Sequence, residues 1–111
     1  MDLSVKIGDV LLNSPVIASS CVDGKDGAQI KKVSSYKLGA ATTKTIVANP
    51  QVDPLPNIKS VKGGMLNCVF GTNTPARRWF EQEMKIALEG GIPVIANMAG
   101  VTPEESVELA K

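Results

Sequence analysis

Histidine is absent from the 111 residues of the chain. That gap removes the usual base of Ser and Cys triads and the commonest metal ligand, so hydrolase and zinc readings start weak. A charge excess is missing too. Twelve basic and eleven acidic residues leave a net charge of +1, and no stretch gathers one sign into a phosphate-binding footprint, so nucleic acid is not the expected partner. Long apolar runs are lacking: IPVIANMAGV (92–101) is far short of the ~20 residues of a membrane-crossing helix, and a soluble chain is expected. The N-terminal MDLSVKIGDVLL shows no charged segment followed by an apolar core and a cleavage site, which makes the cytoplasm the default location. Only two cysteines are present, Cys21 and Cys68, far apart and outside any C-x-x-C. They read as free thiols, with Cys68 a small buried one.

What is present is an alternation of strand-like and helix-like segments. LSVKIGDVLLN (3–13) sets apolar positions on both sides of Gly8-Asp9, the pattern of a small β-hairpin. PVIASS (15–20) reads as a short strand buried on both faces. Ala28, Ile30, Val33 and Tyr36 then recur at helical spacing until Gly39 closes the segment. AATTK (40–44) predicts a second buried strand. Pro50, Pro54, Pro56, Gly63 and Gly64 predict a long ordered loop over 47–64, without a regular element over most of it. Thr74-Pro75 predicts an N-cap and first helical residue, followed by a stripe of Phe80, Met84, Ala87 and Leu88 that Gly90-Gly91 ends. PVIANMAG (93–100) predicts the third strand, and TPEE (102–105) a capped last helix with Glu105 completing the capping box.

Buried strands alternating with helices imply an α/β fold with a parallel sheet and right-handed crossovers. A three-stranded parallel sheet has two open edges, and a closed (β/α)8 barrel needs roughly 250 residues. A leading hairpin plus about three βα units therefore matches the N-terminal part of such a TIM barrel, and residues 1–111 are expected to be a partial barrel domain. The open edges predict association, as a homo-oligomer or with the remainder of the barrel.

In parallel α/β sheets the carboxyl ends of the strands face the ligand, and Lys44 falls at such an end. An ammonium there can neutralise developing negative charge, bond a carboxylate or form a Schiff base, and equally it can mark where the strand meets solvent. The first strand ends in Ala18-Ser19-Ser20, small residues that let a flat ligand approach the backbone or that serve a turn. The third ends in Asn97, an amide able to read a carbonyl and an N–H together, or to cap a loop. LNCVFGTN (66–73) adds Asn67 and Asn73, substrate-reading amides or turn-formers. Arg77 and Arg78 read as a solvated helix face.

SPVIASS, LGAATTKTI, DPLPNI, LNCVFGTN and IPVIANMAG, in this order and spacing, resemble the N-terminal part of the dihydroorotate dehydrogenase family, including its related pyrimidine-reducing domains. The resemblance implies an FMN-dependent barrel with the flavin over the carboxyl ends of the strands. It implies that Ala18 and Ser19 contact the flavin, that Lys44 reaches both flavin and substrate with Thr45 beside it at the cofactor, and that Asn97 lies at the flavin. Asn67 and Asn73 match the amides of the substrate loop. Lys44 is then an electrostatic partner of the reduced flavin, in a reaction that moves a hydride between flavin and a cyclic amide such as dihydroorotate. The catalytic base and the phosphate-gripping glycines are expected beyond residue 111, and the 111-residue piece alone is expected to be inactive.

Three positions depart from the family's pattern. Val52-Asp53-Pro54 stands where dihydroorotate oxidisers have Gly-Asn-Pro, Asn57 where an arginine is usual, and Phe70 where a glycine is usual. Two other readings compete: an aldolase-like barrel with Lys44 as Schiff-base lysine, and a non-catalytic interaction domain anchored by Trp79 and Phe80.

Overall fold

The computed structural model describes residues 2–111. Strands β1 (Val5–Ile7) and β2 (Val10–Leu12) form the expected antiparallel hairpin, with Gly8 supplying the positive φ of the turn. β3 (Ile17–Ala18) follows, half-buried rather than covered on both faces. A 3₁₀ turn (Val22–Gly24) leads into α1 (Gly27–Ser34), whose N-cap Asp26 accepts from the Gln29 N–H.

Helix α1 buries Gly27, Ile30 and Val33, whereas Ala28 and Tyr36 of the expected apolar face are exposed. The helix stops at Ser34, so Tyr36 lies outside the helical phase. Gly39 is not its cap: a Cβ there would collide with the Ser14 carbonyl, so the residue is small because two backbones meet.

β4 (Ala40–Thr42) lies between β3 and β7 (Val94–Ile95) in a three-stranded sheet, parallel to both. The mixed α/β class read from the sequence is therefore present. Ile17 is registered with Ala40 and Ala18 with Ala41, while Ala41 and Thr42 face Val94 and Ile95. Ala41 joins Ile30, Val33, Ile46, Ala76, Trp79 and Ala87 in one core on the helical side of the sheet.

Most of the span 47–64 is loop as expected, with no strand or helix over 47–57, but its end carries a hairpin not expected from the sequence. β5 (Ile58–Val61) pairs antiparallel with β6 (Gly64–Asn67) around Lys62-Gly63, where Gly63 takes φ +82°. Every residue of this hairpin is exposed, including Asn67, and Cys68 just after it is exposed rather than buried.

A continuous helical rod occupies 76–88 as α2 (Ala76–Arg78), a π turn (Trp79–Glu83) and α3 (Met84–Leu88). Its cap is Pro75, not Thr74, whose N–H instead donates to the Thr72 hydroxyl. The π turn inserts an extra residue and turns the inward face, so Trp79 is fully buried while Phe80 and Leu88 are exposed. Trp79 is thus a core residue and offers no surface anchor to a partner. Arg77 pairs with Glu81 at 2.8 Å and Arg78 with Glu83 at 3.7 Å, which makes both arginines a solvated face.

Gly91, at φ +73°, closes the rod. α4 (Pro103–Ala110) begins as expected, with Thr102 accepting from the Glu105 N–H and the Glu105 carboxylate accepting from Val101. Among the described residues, no helix is long and apolar enough to cross a membrane.

Candidate active site

The ladder between β4 and β7 gains one residue just past Thr43. Ala41 N–H donates to Pro93 at 3.1 Å, Thr43 to Ile95 at 2.9 Å, and the next bond comes from Ile46 to Asn97 at 2.8 Å. Two residues on one strand are thus matched by three on the other, a bulge that carries Lys44 and Thr45 out of the sheet. Their backbone groups find partners elsewhere. Lys44 N–H donates to the Gly24 carbonyl at 2.8 Å, and the Thr45 carbonyl accepts from Thr72 N–H at 2.7 Å. Ile46 then returns to the ladder through its bridge to Met98 and is fully buried.

Asn97 organises the polar groups around this bulge. Its Nδ2 donates to Ser20 Oγ at 2.7 Å and to Thr45 Oγ1 at 2.9 Å. Its backbone N–H donates to Thr43 Oγ1 at 2.9 Å, and its carbonyl accepts from the Thr43 hydroxyl. Since Ser20 and Thr45 both accept from the amide, each keeps its own hydroxyl proton to donate to a ligand. Carboxyl ends of all three parallel strands therefore meet at one network: Ser20 follows β3, Thr45 follows β4 and Asn97 follows β7.

A cavity of about 570 Å³ opens beside this network, lined by Ser20, Cys21, Lys44, Thr45, Asp53, Asn57 and Phe70 among others. On the other side of Lys44, a hollow of about 320 Å³ is lined by Lys44, Asp53, Asn73, Thr74, Lys25 and Asp26 among others. Among the described residues, no carboxylate lies within ion-pair distance of the Lys44 ammonium. The two loops that close the cavity are tied together where Phe70 N–H donates to Asp53 Oδ1 at 2.7 Å.

Of the residues singled out from the sequence, Lys44, Thr45 and Asn97 come together, and Asn73 shares the second hollow with Lys44. The others stand apart. Ala18 turns toward the core side and lines a different hollow with Leu38 and Tyr36, Ser19 is exposed, and Asn67 lies in β6 opposite Ile58. Ser20, rather than Ser19, is the hydroxyl at the network.

Sequence reasoning missed two buried threonines. Thr43 links β4 to Asn97, and Thr72 joins the 69–74 loop to the Lys25 carbonyl at 3.3 Å while its own N–H holds Thr45. Their signal was a hydroxyl within an apolar run and a Gly-Thr pair. Gly71 must be small because a Cβ there would stand 2.6 Å from the Thr45 carbonyl.

A parallel sheet whose carboxyl ends gather a lysine, two hydroxyls and an amide at one cavity has the ligand-facing rim of an α/β protein. No family model matches the chain. Curated proteins do. The catalytic subunit of dihydroorotate dehydrogenase B (NAD(+)) from Methanocella arvoryzae is 35% identical over 99% of this chain. The subunits of the same name from Geobacillus sp. (strain WCH70) and Endomicrobium trichonymphae are 36% and 32% identical over 98% and 99% of it. The chain spans 36%, 35% and 36% of these relatives' own lengths. By sequence, the chain is similar over nearly its whole length to about a third of these dihydroorotate dehydrogenase B catalytic subunits.

Proposed function

We propose that residues 1–111 form the first part of an FMN-dependent (β/α)8 barrel that moves a hydride between the flavin and a dihydropyrimidine-like cyclic amide. The observation that carries this reading is the bulge at Lys44-Thr45, which brings an ammonium and a hydroxyl to the cavity that the Ser20 hydroxyl also lines, both hydroxyls keeping their protons. Such a set suits the acceptor-rich edge of a flavin. When bound, FMN would supply the two-electron chemistry that the side chains lack. Lys44 would hold positive charge where negative charge gathers as the hydride moves, and Thr45, Ser20 and Asn97 would fix the ring's edge. Backbone at Ala18 and Ser19 would pass beneath the ring.

Asn73, across Lys44 from this network, is proposed as a substrate amide; Asn67 would join it only if the exposed β5–β6 hairpin folded over the cavity. The open edges of the three-stranded sheet support completion by further barrel strands, or by a second copy. We place the enzyme in the cytoplasm, as a soluble protein of pyrimidine metabolism.

The absorption spectrum of the purified full-length protein tests the reading. Flavin bands that bleach when dihydroorotate or an uncharged analogue is added without oxygen are expected. A colourless protein in which borohydride traps a carbonyl compound on Lys44 would sink it in favour of Schiff-base chemistry.

A further inference from the structure

The cavity beside Lys44 contains one cation and one anion, Lys44 and Asp53, among its lining residues. The same two residues also line the hollow on the other side of the lysine. Asp53 is held in place: its Oδ1 accepts the Phe70 N–H at 2.7 Å, which fixes the carboxylate at the junction of the two closing loops. Among the described residues its carboxylate makes no other hydrogen bond or ion pair, and the residue lines the cavity.

Two negative partners would compete for the one ammonium that lines this cavity, since Lys25 lines only the hollow beyond it. A reduced flavin gathers negative charge where Lys44 reaches it, and a ring substrate bearing a carboxylate would need a cation of its own. Asn57, which shares the cavity, brings a neutral amide. Asp53 brings repulsion, and repulsion against the wrong ligand is an effective source of specificity. An uncharged lactam or imide meets neither difficulty, and its ring N–H can donate to the free oxygen of Asp53.

We propose that Asp53 is a specificity-determining residue that selects an uncharged cyclic amide over the same ring carrying a carboxylate. This rests on the flavin and cyclic-amide reading above. It is tested by titrating the flavin-loaded full-length protein with dihydrouracil and with dihydroorotate, following the shift of the flavin absorption band. Dihydrouracil is expected to bind more tightly by about tenfold, the scale of one close like-charge repulsion in a partly wet site. Asp53→Asn keeps an acceptor for Phe70 N–H while removing the charge, and it should shrink that preference by about tenfold.

A wild-type protein that binds dihydroorotate more tightly overturns the assignment of Asp53 and leaves the cyclic-amide reading standing. That comparison decides the matter even if Asp53→Asn does not fold. An unchanged preference in a folded Asp53→Asn protein overturns it as well. A bound flavin whose bands respond to neither ring removes the cyclic-amide reading itself, and the role of Asp53 with it.

Discussion

The backbone N–H of Lys44 donates to the carbonyl of Gly24 at 2.8 Å, so the turn after β3 holds the residue that leaves the end of β4. The contact leaves no room. A Cβ on Gly24 would lie 2.6 Å from the Lys44 nitrogen and closer still to the Thr42 carbonyl. Gly24→Ala must therefore push the turn off the strand end, at a cost of about 1–3 kcal/mol for overpacking. Denaturant unfolding of the full-length protein should show that loss, and flavin affinity should fall with it because Lys44 moves. An unchanged midpoint and affinity would mean that the turn yields freely.

Replacing Lys44 by glutamine separates charge from shape. Lys44→Gln retains a polar side chain of similar reach but carries no positive charge toward the reduced flavin. Hydride transfer in the full-length enzyme should slow on the order of a hundredfold, the usual scale for one preorganised electrostatic group. The flavin midpoint potential should become more negative, because the reduced form loses more stabilisation than the oxidised form. Stopped-flow bleaching and a redox titration measure the two effects. A normal rate with a normal potential would return Lys44 to the role of a solvated strand end.

Asn97 makes a sharper prediction because its two amide protons decide where two hydroxyl protons point. Asn97→Ala leaves Ser20 and Thr45 without their donor, and flavin binding should weaken by roughly tenfold to a hundredfold, matching about 1–3 kcal/mol for an unmet polar group. Asn97→Asp should be worse. A carboxylate only accepts, so both hydroxyls would turn their protons toward it and away from the cavity. Fluorescence titration of FMN into the apoprotein gives the order of affinities, and equal affinity for the Ala and Asp variants would contradict the proton directions assigned here.

The strand ends were the most legible part of the sequence because short apolar runs mark β4 and β7, and the first charged or amide residue after each run marks the rim. Lys44 and Asn97 were found at such ends, and Thr45 through the family resemblance. The β5–β6 hairpin was not, because all its residues are exposed and no alternation distinguishes an inner face, while three neighbouring prolines spoke for loop. Only Lys62-Gly63 marked the turn. Ser19 and Ser20 could not be ordered without knowing that β3 ends at Ala18. Asp53 was legible as a residue but its partner was not: its bond to Phe70 N–H joins positions 17 apart through backbone geometry that no spacing rule reports.

The helical rod shows how one inserted residue defeats periodicity, and it yields a stability prediction. A uniform 3.6-residue period puts Phe80 in the stripe with Met84 and Ala87, but the π turn over Trp79–Glu83 gives that place to Trp79, which is fully buried. The indole Nε1 finds no acceptor among the described residues. Trp79→Phe therefore removes an unmatched donor along with some packing volume, and the two effects oppose each other. A net change within about 1 kcal/mol is expected, since an unsatisfied buried donor alone costs about 1–3 kcal/mol. Trp79→Ala gains only the first effect and leaves a large cavity, which should cost about 3–5 kcal/mol. Phe80→Ala, on the exposed side of the same rod, should cost well under either figure for a core aromatic. Urea unfolding of the three full-length variants ranks them, and a Phe80→Ala loss equal to that of Trp79→Ala would show that the rod turns its other face to the core.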